Sequence, residues 1–151
     1  MPTTTLGEVS RNYDPPLLRP PAARELIAAA AHPLACPPVA VARFGSIALD
    51  CADPLPLAAF WAELIGGSVA FTGEEFAAVK GAWGWLAAVR VPGYRAPSWP
   101  EDTTPKQMHL DLAVDDLDAA EAEALRLGAR RAAVQPVPER YRVLLDPAGH
   151  P

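Results

Sequence analysis

One internal repeat constrains this chain more than anything else in it. "SIALDCADPLPLAAFWAELIGG", starting at Ser46, and "HLDLAVDDLDAAEAEALRLGA", starting at His109, both read as strand, aspartate, helix and glycine stop. Laying Asp53 on Asp116 sets an offset of 63 residues (116 − 53), and the same offset lays Ser46 on His109. The glycine stops then require a one-residue gap. A unit used twice at this spacing is a duplicated supersecondary structure, because stacked-repeat solenoids need at least about three copies.

Within the first copy, Ile47, Leu49 and Cys51 alternate with Ser46, Ala48 and Asp50, the pattern of a half-buried strand. Leu57, Phe60, Trp61, Leu64 and Ile65 then recur at helical spacing, and Gly66 and Gly67 end the helix. "SVAFT", "EFAAVKG" and "GWLAAVRV" read as short strands, and "PGYRAPSWPEDTTP" as a proline-rich connector. In the second copy "MHLDLAV" reads as a strand. "DDLDAAEAEALRLGA" reads as an amphipathic helix with Leu117, Ala120, Ala124 and Leu127 inward and acids near its N-terminus. "RRAAVQPV" and "RYRVLLD" read as strands, and "DPAGHP" as a turn.

The chain has 151 residues, half of them hydrophobic, which suits one domain with an extension. The extension covers residues 1–43. Its proline pairs bracket a short helix at about Ala22–Ala31, and it reads either as a tail or as an arm docked on the domain or a partner. A net charge of −5 and the absence of any basic block argue against nucleic acid and anionic membrane as partners. Cys36 and Cys51 form no CxxC or metal spacing, so a reduced, cytoplasmic setting is expected. The first residues carry no secretory pattern, and the apolar run "LIAAAA" is too short to span a bilayer.

Candidate chemistry concentrates around "KQMHLDLAVDD". His109, Asp111 and Ala113 fall on one strand face, and Met108, Leu110, Leu112 and Val114 on the other. His109 and Asp111 form a conceivable acid/base pair, although same-face neighbours about 7 Å apart meet directly only if the strand bends. The alternative is a hydrogen bond from His109 across to a neighbouring strand. Trp83, Trp85, Tyr94 and Trp99 form an aromatic group in which Trp83 and Trp85 are expected to share a face, as a wall for a flat ligand or as core or dimer contacts. Trp61 sits at a helical core position. Arg140 and Arg142 share a strand face, suited to an anionic ligand or to solvent. Glu74, Glu75, Glu121 and Glu123 read as surface charge, and His32 and His150 receive no role. No nucleophile elbow, P-loop or dinucleotide fingerprint is present.

"LDCADPLPLAAFWAELIGG", "VRVPGYRAPSWP", "KQMHLDLAVDDLDAAEAEALRLGA" and "RVLLDPAGHP" together resemble the glyoxalase-like branch of the vicinal oxygen chelate group, which includes glyoxalases, bleomycin-resistance proteins and extradiol dioxygenases. The resemblance implies an α+β fold: two βαβββ modules whose sheets curl around a cleft. It also implies a divalent metal held from the first and last strands of each module. Carried over by position, those places are Ser46, Val89 or a neighbour, His109, and a fourth in a strand that would follow Pro151. Only His109 is a good ligand among them, with Asp50 and Asp111 as substitutes on the same faces.

The expected function is therefore to bind a small apolar or aromatic molecule in the cleft, with no essential metal, through Trp83, Trp85, Trp99, Tyr94, Arg142 and Asp50. The alternative is a lyase, isomerase or dioxygenase with a divalent metal on His109. A third reading is a degenerate domain that serves assembly through its arm. A homodimer is expected. The last strand of the second module is expected to be missing or supplied by another segment, since the neighbouring strand would otherwise keep an open edge.

Overall fold

Backbone hydrogen bonding follows the alternating segments closely in the first copy of the repeat. The computed structural model describes residues 44–100, 103–106 and 108–151. The expected helix at 22–31 lies outside them. Strand β1 (Ser46–Cys51) leads into helix α1 (Pro54–Leu64), followed by β2 (Ser68–Thr72), β3 (Phe76–Gly81) and β4 (Gly84–Arg90). The four strands form one sheet in the order β1-β4-β3-β2. β1 runs parallel to β4, with Ser46 beside Trp85 and Asp50 beside Val89, while the other two pairings are antiparallel. This is one βαβββ module with a mixed sheet.

Alternation decides which side of the sheet is covered. Leu49, Cys51, Ala77, Val79, Leu86 and Ala88 are buried against α1, which contributes Leu57, Ala58, Phe60, Trp61 and Ala62. Phe60 and Trp61 meet edge to face, with ring centroids 5.3 Å apart. The opposite side carries Ala48, Asp50, Ala78, Lys80, Trp85, Ala87 and Val89. Gly67 lies so close to β3 that an added Cβ would stand 2.9 Å from the Lys80 carbonyl oxygen. A side chain there would force the β2 end of the sheet away from its neighbour.

The second copy gives helix α2 (Leu117–Leu127) and a two-stranded antiparallel sheet of β5 (Arg130–Arg131) and β6 (Leu144–Leu145). Moving Pro54–Leu64 along by 63 residues gives Leu117–Leu127, so the two helices have the same limits with no gap. The gap falls at the stops: α1 ends on Ile65 with Gly66 behind it, whereas α2 ends directly on Gly128, at φ 113. Ala124 is buried and Leu117, Ala120 and Leu127 are half-buried, as the helical pattern requires. Ala124 and Ala129 join the same apolar cluster as α1, and Arg126 reaches Glu63 of α1 at 3.6 Å.

Three strand expectations change. "RRAAVQPV" and "RYRVLLD" contract to the two-residue strands β5 and β6. Beyond them, Gln135 acts as the connector, its side-chain amide donating to the Ala132 and Val143 carbonyls at 2.9 and 2.7 Å. Met108–Val114 is not in a ladder with any described residue. In the first module β1 is held by β4, whereas alternation with no ladder partner among the described residues does not make a strand.

Candidate functional site

The uncovered side of the four-stranded sheet is the most ligand-like surface in the described residues. Phe71 and Phe76 stack on it, with centroids 4.6 Å apart and planes within 12°. Trp85 stands further along, with the Lys80 ammonium 5.5 Å from its ring centroid. All three rings are open to solvent: Phe71 at 49%, Phe76 at 42% and Trp85 at 41%. Between them run the small side chains Ala78 and Ala87, which leave the backbone approachable. Trp85 pairs with Ser46 and Asp50 with Val89, so the indole and this carboxylate are four residues apart along the sheet, about 13 Å. The arrangement offers flat apolar surfaces with a cation near one end and an anion near the other.

The aromatic group expected from sequence is dispersed. Trp83 and Trp85 do not share a face. Trp83 occupies the β3–β4 turn between Gly81 and Gly84, and its indole nitrogen donates to the carbonyls of Ile65 and Gly66 at 3.1 and 2.7 Å, tying down the end of α1. Trp99 donates to the Val134 carbonyl at 3.3 Å, with Lys106 over its ring at 4.6 Å. Tyr94 turns away into a polar network. Arg142 is engaged by two carboxylates of α2, Asp118 and Glu121, which also raise its guanidinium pKa. It is therefore a clamp between the second-copy helix and the chain near β6, and no free anion receptor. Of the six expected ligand contacts, Trp85 and Asp50 stand on the open face. Phe71, Phe76 and Lys80 were missed, although the alternation of Phe76, Ala78 and Lys80 against Ala77 and Val79 marks that face.

His109 and Asp111 are closer than an ideal strand allows: Nε2 and Oδ2 are 3.5 Å apart. The pair is exposed, Asp111 almost completely so, which leaves its carboxylate well hydrated. The places that the resemblance assigns to a metal hold Ser46, Val89 and His109. A hydroxyl, an isopropyl group and one imidazole do not suit a divalent ion. Among the described residues no group of three or more His, Cys, Asp or Glu side chains is placed to hold one.

The turn "DPAGHP" holds a polar cluster that sequence reasoning passed over. Asp146 is 4% exposed. Its Oδ1 accepts the backbone N–H groups of Ala148 and His150, each at 2.9 Å. Its Oδ2 accepts Trp61 Nε1–H at 3.3 Å and lies 2.8 Å from His150 Nδ1. The other ring nitrogen of His150 is 3.1 Å from the Tyr94 hydroxyl, which donates to the Ala148 carbonyl at 3.0 Å. Burial first, and then the Asp146 charge, push the Tyr94 phenol up to about 12. Burial likewise raises the Cys51 thiol, helped by Asp53, and its Sγ donates to the Val89 carbonyl at 3.4 Å. An open groove of about 400 Å³ runs beside this cluster, lined by Asp53, Pro56, Leu57, Tyr94 and Ala148 among others. The satisfied hydrogen bonds make the cluster a fastening between α1 and the terminal turn. No helix of the described residues is long and apolar enough to cross a membrane.

Comparison with known proteins agrees with this architecture. Solved structures similar to the chain include a hypothetical protein from S. aureus, at 13% identity, covering 74% of this chain and 90% of that one with a TM-score of 0.51. A glyoxalase-related enzyme from Fulvimarina pelagi is 20% identical over 72% of this chain and 83% of its own, with a TM-score of 0.49. A bleomycin-binding protein from Streptomyces verticillus, solved with copper(II)-bleomycin, is 23% identical over 73% and 93%, with a TM-score of 0.44. No curated protein matches the chain in sequence. Residues 46–151, which contain the whole four-stranded module, α2 and the terminal turn, match the glyoxalase-like domain. The chain belongs to the glyoxalase-like domain family.

Proposed function

We propose that this protein binds a small apolar or aromatic molecule on the open face of the β1-β4-β3-β2 sheet, without an essential metal. The observation that carries the reading is the exposure of Trp85 together with the stacked Phe71–Phe76 pair on the side of the sheet that α1 leaves uncovered. Aromatic rings presented this way give a planar ligand large contact area at small entropic cost. Lys80 at one end and Asp50 at the other favour a ligand carrying separated polar groups. In this reading the second copy of the repeat is a second βαβββ module, with α2 as its helix. The bleomycin-binding relative makes an aromatic, multiply charged antibiotic a reasonable first probe.

Tryptophan emission titrated with anilinonaphthalene sulfonate, metal-free bleomycin and copper-bleomycin tests the proposal. Saturable quenching is expected for at least one probe, with at least tenfold weaker binding in Trp85→Ala and Phe71→Ala at unchanged circular dichroism. Binding that ignores both substitutions, or no saturable binding by any of the three, would sink it. Elemental analysis of the same protein addresses the metal: a stoichiometric divalent ion that disappears in His109→Ala would replace this reading with metal-dependent lyase, isomerase or dioxygenase chemistry.

A further inference from the structure

The groove between the start of α1 and the terminal turn is separate from the open face of the sheet. It holds about 400 Å³ and is walled by Pro56, Leu57, Tyr94, Ala96 and Ala148, none of which belongs to that face. A space of this size suits a small molecule. Two of its walls are fixed. Leu57 is buried in the core. The Tyr94 hydroxyl donates to the Ala148 carbonyl at 3.0 Å and lies 3.1 Å from the His150 ring, so the phenol is held at both ends and does not swing into the space.

Charge decides what the groove suits. Among the described residues Asp53 is the only carboxylate in the lining, and no lysine or arginine joins it there. Its counterpart in the second copy, Asp116, spends its carboxylate on capping α2, whereas Asp53 makes no side-chain bond to α1 and no salt bridge among the described residues. The surroundings have the same sign. Burial and then the Asp53 and Asp146 charges raise the Cys51 thiol, and burial and then Asp146 raise the Tyr94 phenol. Arg90, which opposes the shift at Cys51, is bonded to the Glu74 carbonyl at 2.7 Å, and Arg130 stands beside Gly149; neither enters the lining. One carboxylate serves a bare metal ion poorly, since hard cations take about six or more oxygens. A carboxylate beside an aromatic ring and aliphatic walls suits a cation that carries its own apolar surface. We propose that this groove is a second binding site, for a small organic ammonium ion whose charged head pairs with Asp53 and whose apolar body lies against Tyr94, Leu57 and Ala148. The site does not rest on the open-face reading, and the place where a probe binds tells the two apart.

Amide-resolved NMR titration of the full chain with benzyltrimethylammonium tests this. Saturable shifts are expected at Asp53, Leu57, Tyr94, Ala96 and Ala148, with a Kd at or below about 1 mM. Asp53→Asn changes an exposed residue that caps nothing. It is expected to weaken binding at least about fivefold with an unchanged circular dichroism spectrum. Benzyl alcohol, which has the ring without the charge, is expected to bind at least about tenfold more weakly than the ammonium ion. The absence of saturable shifts up to about 10 mM overturns the proposal. So do shifts centred on Phe71, Phe76 and Trp85, equal affinity in Asp53→Asn, or benzyl alcohol binding as tightly as the ammonium ion.

Discussion

Asp146 shows how one buried residue can hold distant parts of a chain in place. Both carboxylate oxygens are committed, to two backbone N–H groups, the Trp61 indole and the His150 ring. Asp146→Ala would leave these donors buried without an acceptor, and urea unfolding should show a loss of about 3 kcal/mol. Tyr94 supplies a second test in the same cluster. Its phenol is neutral below its pKa, which is raised from 10.0 to about 12. Its contribution to stability is therefore complete below pH 10 and is lost as the pH rises from about 10 to about 12. Tyr94→Phe should flatten that part of the stability–pH curve, and an absorbance titration should lose its highest tyrosinate step. None of this was legible beforehand, because "DPAGHP" reads locally as a turn and its partners, Trp61 and Tyr94, lie 85 and 56 positions from Asp146 and His150 respectively. The Trp83 and Trp85 expectation failed for a more local reason: a two-residue turn between Gly81 and Gly84 interrupts the alternation that the expectation extended through it.

At the level of elements, the repeat offers its own internal control. Asp53 and Asp116 precede equivalent helices with nearly the same backbone, φ −134 and ψ 112 against φ −137 and ψ 115. Yet only Asp116 caps, accepting from Asp118 and Ala119 at 2.9 and 3.0 Å. Pro56, at the third position of α1, removes one of the two donors that Asp116 uses in α2, leaving only the Leu55 N–H in the equivalent places. Asp116→Ala should therefore cost about 1 kcal/mol in chemical denaturation, and Asp53→Ala only a few tenths. The helices and the four strands of the first module were legible in sequence because periodicity, glycine stops and ladder partners all agree there. "MHLDLAV" has the periodicity without the partner, and so falls short of a strand among the described residues. The open face was half legible: Asp50 and Trp85 were named, and the stacked phenylalanines were not, since nothing in a linear pattern says that two rings on opposite sides of a turn will meet.

For the molecule as a whole, the core links the two copies of the repeat: Leu57, Phe60 and Trp61 of α1 share one apolar cluster with Ala124 and Ala129. The order of strands within the sheet adds a consequence for assembly in time. β1 lies beside β4, its nearest paired residues being 39 positions apart, as at Ser46 and Trp85, whereas β2, β3 and β4 are joined by tight hairpins. On a ribosome the first strand made would wait, unaccompanied, until the last of the four had emerged. Pulsed hydrogen exchange during refolding should find β3 and β4 amides protected before those of β1, because the longer loop is slower to close. Simultaneous protection would mean that the helix between them recruits β1 at once. A strand left waiting in this way is exposed to neighbouring nascent chains, so the parallel seam is where crowding during synthesis would be felt first.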